Sequence, residues 1–424
     1  MKMNMIIRKL SMLSAIAVMV IIVSLLAGCR KEKKDGIITM TTSAKCISFR
    51  LKGSGAAIVD WGDGSKNDTV KLDVDEHVSE NGWLWIERTD LEAIPRAITI
   101  TGKNITGLNC DGNLIIVIGT SRCNQFTALD VSGYTALTEL SCGNNQLTEL
   151  DVSKNRSLLK LACSFNQLKD LDVSKNIALT GLSCGNNQLS ELDVSKNIAL
   201  TDLWCRANPL TKLDVSNNAA LEHLHCGSNQ LTALDLSKNT ALEHLICNDN
   251  SLTELDLNQH TALLELRCDN NQLTSLDVSR NDTLIVFSCK DNQLTKLDVS
   301  QNTALIDFWC ENNSLTALDL SKNRKLKFFS CKNNQLTGLD LNQNTVLQFL
   351  KIEDNQLTAS ALNTLFGTLH DNIVMQGFIE DIDQIATKRI YIDNNPGTAD
   401  CDRSIAERKG WIVEKENLEN NNEE

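Results

Sequence analysis

Cysteine is the residue type in this sequence with the greatest capacity for chemistry, because thiols form disulfides, bind metals and act as nucleophiles. The chain has 424 residues, of which 15 are cysteine. Ten of these recur at an unbroken interval of 21 residues: Cys142, Cys163, Cys184, Cys205, Cys226, Cys247, Cys268, Cys289, Cys310 and Cys331. The interval matches no zinc motif, and disulfides between neighbouring parallel strands would strain both strands. We therefore predict a ladder of inert thiols that face inward and pack as small hydrophobic side chains.

Four further cysteines lie outside this ladder, and the sequence does not show how they pair: Cys46, Cys110, Cys123 and Cys401.

Histidines and acids form a second candidate for chemistry at the same interval, with Asp202, His223, His244 and Glu265 in one row. Such a row could bind zinc or change its charge with pH, and a metal-dependent enzyme that uses His223 and His244 is one alternative for the function. Side chains on a flat sheet seldom converge tetrahedrally, so we expect neither metal nor cofactor. The sequence has no G-x-S-x-G motif and no Gly-rich phosphate loop. We therefore predict a protein that is not an enzyme.

The composition excludes other classes. Lys and Arg number 41 against 54 Asp and Glu, which gives a formal net charge of −13. Nucleic-acid binding requires clustered basic residues, so a nucleic-acid partner is not expected. With 42% hydrophobic residues and only 3 prolines, the chain is neither a disordered polyanion nor a Pro-rich linker.

A 21-residue repeat must position all of these residues. Asparagines from Asn124 to Asn355 recur at the same interval and define 12 coils, with Ser121 and Ile352 in place of cysteine in the outer two. Each unit is too short to bury its own apolar side, so the units must stack. We predict a short strand in each coil, a parallel sheet on the concave side, little helix on the convex side, and a length of roughly 55 to 60 Å.

Three kinds of side chain have predicted roles within each coil. The leucines face inward, and Phe287, Phe308 and Phe329 replace one of them in a wider stretch of core. The ladder asparagines bond to backbone groups of the turns. The 11 aspartates from Asp130 to Asp340 form turns, with a weak calcium-binding row as the alternative.

The unit L-x-x-L-x-C-x-x-N-x-L, as in the stretch from Leu137 to Leu147, resembles the leucine-rich repeat with cysteine at the third leucine position. In particular it resembles the internalin group of bacterial surface proteins, including members that carry a cysteine ladder. The resemblance implies a repeat solenoid over 105–358 and a function in adhesion through binding of a protein partner.

The region before the repeats divides into three parts. Residues 1–28 resemble a bacterial lipoprotein signal peptide that ends at a Leu-Ala-Gly-Cys box, which implies lipidation of Cys29. The alternative is an uncleaved membrane helix. Residues 29–36 would form a tether, and Arg30 after the cysteine favours the outer membrane. Residues 37–104 alternate as short strands do, and the Asp60–Gly64 turn resembles that of PKD-like sandwiches, so a small β-sandwich-like module and N-terminal cap are predicted.

Residues 359–413 depart from the repeat and are predicted to form a C-terminal cap with short helices, followed by a frayed tail over 414–424.

A partner must bind through exposed positions of the concave sheet, because the inward positions are needed for packing. The early coils carry small residues there, whereas from Trp204 onward aromatic, His and Arg residues appear, which are typical of binding surfaces. The candidate partner-binding residues are Trp204, Arg206, His223, His225, His244, Arg267, Trp309 and Phe328. A glycan is the alternative ligand, and neutral variation of exposed side chains is the alternative explanation. We expect a monomer.

Overall fold

The computed structural model describes residues 36–72, 82–89, 91–112, 124–371 and 388–414. The predicted signal peptide, Cys29, Ser121, Cys123 and most of the tail lie outside the described residues.

Five strands precede the repeats: β1 (Gly36–Thr42), β2 (Ile47–Asp60), β3 (Asp68–Lys71), β4 (Trp83–Arg88) and β5 (Arg96–Asn109). They pair antiparallel, and their alternating apolar residues, such as Ile38, Phe49 and Ile100, are fully buried. The long strand β2 pairs with β4 through its first half and with β3 through its second half. β5 pairs with both halves of β2, with irregular register around Gly53.

The turn after β2 is organised by aspartates. Asp60 accepts a hydrogen bond from the N–H of Gly62 at 2.9 Å, and Asp63 accepts one from the N–H of Ser65 at 3.0 Å. Asp68 accepts a bond of 2.6 Å from the indole of Trp61. Gly62 has φ 69°, a left-handed conformation that glycine adopts without strain.

The repeats form the parallel β-solenoid that the sequence predicts. β6 (Ala128–Asp130) pairs antiparallel with β1, and eleven three-residue strands then recur every 21 residues. These are β7 (Glu139–Ser141), β8 (Lys160–Ala162), β9 (Gly181–Ser183), β10 (Asp202–Trp204), β11 (His223–His225), β12 (His244–Ile246), β13 (Glu265–Arg267), β14 (Val286–Ser288), β15 (Asp307–Trp309), β16 (Phe328–Ser330) and β17 (Phe349–Lys351). Each pairs in parallel and in register with the next, because every coil has the same length.

The interior is uniform. Leu137, Leu140, Cys142, Leu147 and Val152, and their equivalents along the stack, are buried, as predicted. Burial raises the pKa of the ladder thiols, to about 12 at Cys226. All ten ladder cysteines are free and buried, which confirms their packing role.

The three predicted core phenylalanines also stack inside the solenoid. Phe287 and Phe308 lie 5.3 Å apart between ring centroids, and Phe308 and Phe329 lie 5.5 Å apart. All three rings are fully buried, so they fill the core.

The asparagine ladder satisfies backbone groups that the turns leave unpaired. Asn166 donates to the carbonyls of Cys142 and Cys163, both at 3.0 Å. Its carbonyl accepts the N–H of Leu147 at 3.0 Å, so each asparagine connects its own coil to the one before. The aspartate row forms turns, as predicted: Asp151 accepts the N–H of Ser153 at 2.8 Å, and the equivalent bond is present from Asp130 to Asp340.

A second buried polar row lies on the opposite side of the coil. Asn176 donates to the carbonyls of Val152 at 3.0 Å and Asn155 at 2.9 Å, and the pattern repeats to Asn344. His260 takes the place of asparagine in one coil, where its Nε2 lies 3.2 Å from the carbonyl oxygen of Leu236. The sequence contains this 21-residue spacing, but we did not predict a second ladder from it.

The start of the solenoid differs from the prediction in one respect. β5 pairs in parallel with β7, which places Cys110 beside Cys142 as an additional rung of the ladder. The predicted boundary between residues 104 and 105 therefore falls inside β5. β5 is the strand that pairs with β7 at the start of the concave sheet, so the module's sheet runs directly into the solenoid's sheet. Cys46 is disulfide-bonded, and since the other described cysteines are free, its partner lies outside the described residues.

The C-terminal end closes the stack. α1 (Ala359–Thr368) buries Leu362, Leu365 and Phe366, and Thr358 caps its first turn. β18 (Lys388–Tyr391) and β19 (Trp411–Glu414) extend the parallel sheet, with α2 (Ser404–Glu407) between them. The helices of the described ranges are thus short, and none has the combined length and apolar character of a membrane span.

Candidate functional site

The residues on either side of the buried central residue of each strand form two continuous rows on the concave face. The row after the central residue we name the tryptophan row: Asn109, Ser141, Ala162, Ser183, Trp204, His225, Ile246, Arg267, Ser288, Trp309, Ser330, Lys351 and Tyr391. The row before it we name the histidine row: Gly107, Glu139, Lys160, Gly181, Asp202, His223, His244, Glu265, Val286, Asp307, Phe328, Phe349 and Arg389. Side chains alternate across a strand, so both rows face away from the core.

Histidine and carboxylate side chains are hydrogen-bonded in pairs along the middle of the histidine row. His223 Nδ1 lies 2.8 Å from a carboxylate oxygen of Asp202, and His244 Nδ1 lies 3.1 Å from one of Glu265. The two imidazole centroids are 4.9 Å apart. Burial alone would raise the pKa of Glu265, but hydrogen bonds from Arg267 and His244 lower it below its usual value.

The predicted residues of the tryptophan row also lie close together. The rings of Trp204 and His225 are stacked, with centroids 4.3 Å apart and planes 7° from parallel. Burial lowers the pKa of His225, so the ring stays neutral to a lower pH than a free histidine. Arg206 lies in the turn after β10 rather than on the sheet, and its charge acts on His225.

The C-terminal end of the face carries an aromatic cluster that the sequence prediction covered only in part. Trp309 lies 6.1 Å from Phe349, and Phe349 lies 5.6 Å from Tyr391, between ring centroids. Lys351 Nζ lies 5.8 Å and 5.7 Å from these last two rings. We did not predict Phe349, Lys351 and Tyr391, although Phe349 continues the 21-residue interval from Phe328. The predicted Phe328 is 37% exposed beside this cluster.

The N-terminal end of the face is completed by the β-module. β2 and β4 continue both rows beyond β5, so Arg50 and Trp85 follow Asn109, and Lys52 and Trp83 follow Gly107. These residues have no repeat spacing, and only the strand pairing places them on the concave face.

The face offers stacking, charge and hydrogen bonding to a ligand. Within the described ranges, no three His, Cys, Asp or Glu side chains form a cluster fit for a metal ion. Asp202, His223, His244 and Glu265 run side by side across four strands, so they form pairs along a line rather than a cage.

Solved structures with the same architecture are similar to this chain. The functional domain of InlJ from Listeria monocytogenes, which includes a cysteine ladder, is 31% identical, with 78% of this chain and 72% of that chain covered and a TM-score of 0.59. The chain belongs to the internalin-like leucine-rich-repeat proteins.

Other solved structures share the fold at lower identity. InlF from L. monocytogenes is 20% identical, with 74% of this chain and 87% of that chain covered and a TM-score of 0.60. A leucine-rich-repeat protein of Leptospira interrogans is 23% identical, with 69% and 82% covered and a TM-score of 0.55. No family model and no curated relative matches the sequence. As an internalin-like protein, the chain is a protein-interaction repeat scaffold, since leucine-rich-repeat proteins commonly bind protein partners.

Proposed function

We propose that the concave face between β10 and β18 binds a macromolecular partner, a protein, in adhesion or in contact with a host or another cell, without catalysis. The observation that carries this proposal is the concentration of exposed aromatic and charged residues on these strands. Trp204 is 44% exposed and Phe328 is 37% exposed, although both side chains are large and apolar. Exposed Trp and Arg residues on a rigid sheet are typical binding hot spots.

The size of the surface fits a macromolecule better than a small molecule. Eight strand steps separate Trp204 from Tyr391, and at about 4.8 Å per step they extend over roughly 38 Å. Aromatic and charged residues are interspersed along this length, as on a protein interface with several anchor points.

Array binding with matched variants tests this proposal. We expect the purified chain to bind a protein on an array, and Trp309→Ala to lower that affinity at least about tenfold, as for an interface hot spot. Ile198→Ala is the control, because Ile198 is 58% exposed and lies off the concave face. Full binding by both Trp204→Ala and Trp309→Ala would overturn the proposal.

We further propose that the chain is a lipoprotein, anchored by acyl chains at Cys29 in the bacterial outer membrane, exposed at the cell surface and monomeric. The signal-like segment with its Leu-Ala-Gly-Cys box supports this, and two or more acyl chains give stable attachment. Mass spectrometry of the mature amino terminus would detect the acyl groups. Protease treatment of intact cells would digest a surface-exposed solenoid and spare one that faces the periplasm.

A further inference from the structure

A trough crosses the part of the concave face that carries small residues. It encloses about 560 Å³, and its lining runs from Arg50 and Trp83 of the β-module to Trp204 of β10. This volume lies within the usual range for ligand sites. The trough is thus a second feature of the face, next to the aromatic and charged surface described above.

The trough has a low floor because three successive coils carry small side chains there. Ser141, Ala162, Gly181 and Ser183 lie along the bottom, so a ligand can approach the sheet closely. The two ends rise at Trp83 and Trp204. A Cβ at Gly107 would lie 2.8 Å from the Trp83 ring, so the glycine at this position leaves room for that indole over the sheet.

The length of the floor suits an extended ligand. Four strand steps separate Asn109 of β5 from Trp204 of β10, which corresponds to roughly 20 Å. The lining is mostly apolar, and the hydroxyls of Ser141 and Ser183 and the side-chain amide of Asn109 add groups that can form hydrogen bonds with a ligand. Because the floor is the face of a sheet and not an edge, it offers no backbone N–H groups or carbonyls for a peptide to pair with as an added strand.

Of the two cations and two carboxylates in the lining, the carboxylates are held by neighbouring side chains, whereas the cations have no ion pair among the described residues. Glu139 is paired with Lys52 at 2.6 Å, and Asp202 is hydrogen-bonded to His223 at 2.8 Å. Arg50 lies over the Trp85 ring at 4.7 Å, and Lys160 is exposed. Neither Arg50 nor Lys160 has an ion-pair partner within the described part of the chain. In a protein with a net charge of −13, two available cations in one trough favour an anionic ligand.

An exposed aromatic residue in a left-handed conformation lies in the turn after β8. Phe165, three residues after Ala162, has φ 58° and is 52% exposed. Equivalent positions in the neighbouring coils hold Asn144 and Asn186, which tolerate this left-handed conformation. A bulky aromatic that is both strained and exposed contributes little to folding, which points to a role in contacting a ligand.

We propose that the trough binds an acidic oligosaccharide, a chain of pyranose rings that carry carboxylates. The apolar C–H face of a sugar ring stacks on an indole, and its hydroxyls bond to the serines and to Asn109 of the floor. Its carboxylates pair with Lys160 and Arg50. A hydrophobic protein side chain would instead leave the serine hydroxyls and the two cations of the lining without a partner.

Isothermal titration calorimetry with tetragalacturonic acid tests this proposal, with neutral cellotetraose as the matched probe. We expect the acidic tetrasaccharide to bind more tightly at low salt, and the preference to shrink as salt rises. Trp83→Ala should weaken binding at least about tenfold. Lys160→Glu should weaken it about fivefold, and it replaces an exposed side chain, so folding is preserved.

The outcomes separate this site from the protein-binding surface. Trp309→Ala should leave saccharide affinity within about twofold, because that residue lies five strands beyond Trp204. Absence of binding to both saccharides, or binding that Trp83→Ala and Lys160→Glu leave unchanged, would overturn the proposal. Loss of a protein ligand through Trp83→Ala, with no saccharide bound, would assign the trough to the protein partner and would also overturn it.

Discussion

From coil to coil, the central residue of each solenoid strand changes little in type, whereas its two neighbours change widely. From β7 to β17 the central residue is Leu or Phe and is buried in every coil. The flanking residues range from Gly181 to Trp204 within a single strand step. The coils can differ on their concave face without loss of stacking, because that face takes no part in the core. The interior therefore defines the fold, and the variable face determines what can bind.

Thiol accessibility gives the largest expected contrast between the interior and the surface. Cys110 and the ten ladder cysteines are fully buried and free, whereas Cys401 is half-buried. We expect a thiol reagent to modify Cys401 and to react with the eleven others at least about a thousandfold more slowly, since they require unfolding. Mass spectrometry after timed labelling measures this. Fast modification of most ladder cysteines in the folded protein would contradict the interior packing described above.

Substitution within one coil compares the two regions directly. Asn208→Ala would leave the N–H of Leu189 without its side-chain partner, and the carbonyls of Cys184 and Cys205 would each lose one of two asparagine donors. We expect this substitution to lower the free energy of unfolding by about 3 kcal/mol. Trp204→Ala, on the face of the same coil, should cost about 1 kcal/mol or less. Urea denaturation measures both, and a larger loss for Trp204→Ala would reverse the distinction between interior and face.

His260 is the one residue of the second buried row that is not asparagine. Its replacement tests, at acidic pH, whether the interior determines stability. Burial lowers the pKa of His260 below its ordinary value of 6.5, and its Nδ1 has no hydrogen-bond partner among the described residues. As pH falls, His260 is protonated in the unfolded chain before it is protonated in the folded chain. The free energy of unfolding therefore falls as pH drops below about 6.5.

We expect His260→Asn to reduce the loss of stability between pH 7.5 and pH 5 by more than about 0.5 kcal/mol, the usual error of additivity. Asn281→His, in the next coil, should increase that loss. Thermal unfolding at both pH values measures the effect. Equal acid sensitivity in all three proteins would show that this row does not sense protonation.

Phe165→Asn gives the smallest expected change in the free energy of unfolding. Whether that change is a gain or a loss shows whether Phe165 has a structural role. The substitution relieves a left-handed phenylalanine and removes a side chain that is already half-exposed, so we expect a gain of about 0.5 kcal/mol. Calorimetry of the purified protein measures it. If the trough binds the acidic saccharide, the same variant should bind it more weakly. A loss of stability would mean that Phe165 packs as a structural residue.

Sequence periodicity was sufficient to predict the interior. The 21-residue intervals of the leucines, cysteines and asparagines predicted the coils, the parallel sheet and the buried thiols. Units of identical length can bury their apolar sides only by stacking in register. Cys110 was not assigned to the ladder, because 32 residues separate it from Cys142 and only the pairing of β5 with β7 brings them together.

The concave face could be predicted only where it follows the repeat. Trp204, His225 and Trp309 were found from their register, but Arg50 and Trp83 come from the β-module, whose place beside the coils has no periodic signal. The small residues of the early coils indicated no function by themselves. They form a trough only because Trp83 and Trp204 rise at its two ends.

Hydroxyl-radical footprinting of the full chain, alone and bound to the protein partner identified on the array, tests the central claim most directly. We expect reduced oxidation of Trp204, Trp309 and Phe328 in the complex. Ile177 and Ile198, which are 52% and 58% exposed off the concave face, should be oxidised equally in both states. Protection of the two isoleucines with unchanged oxidation of the concave aromatics would contradict the account.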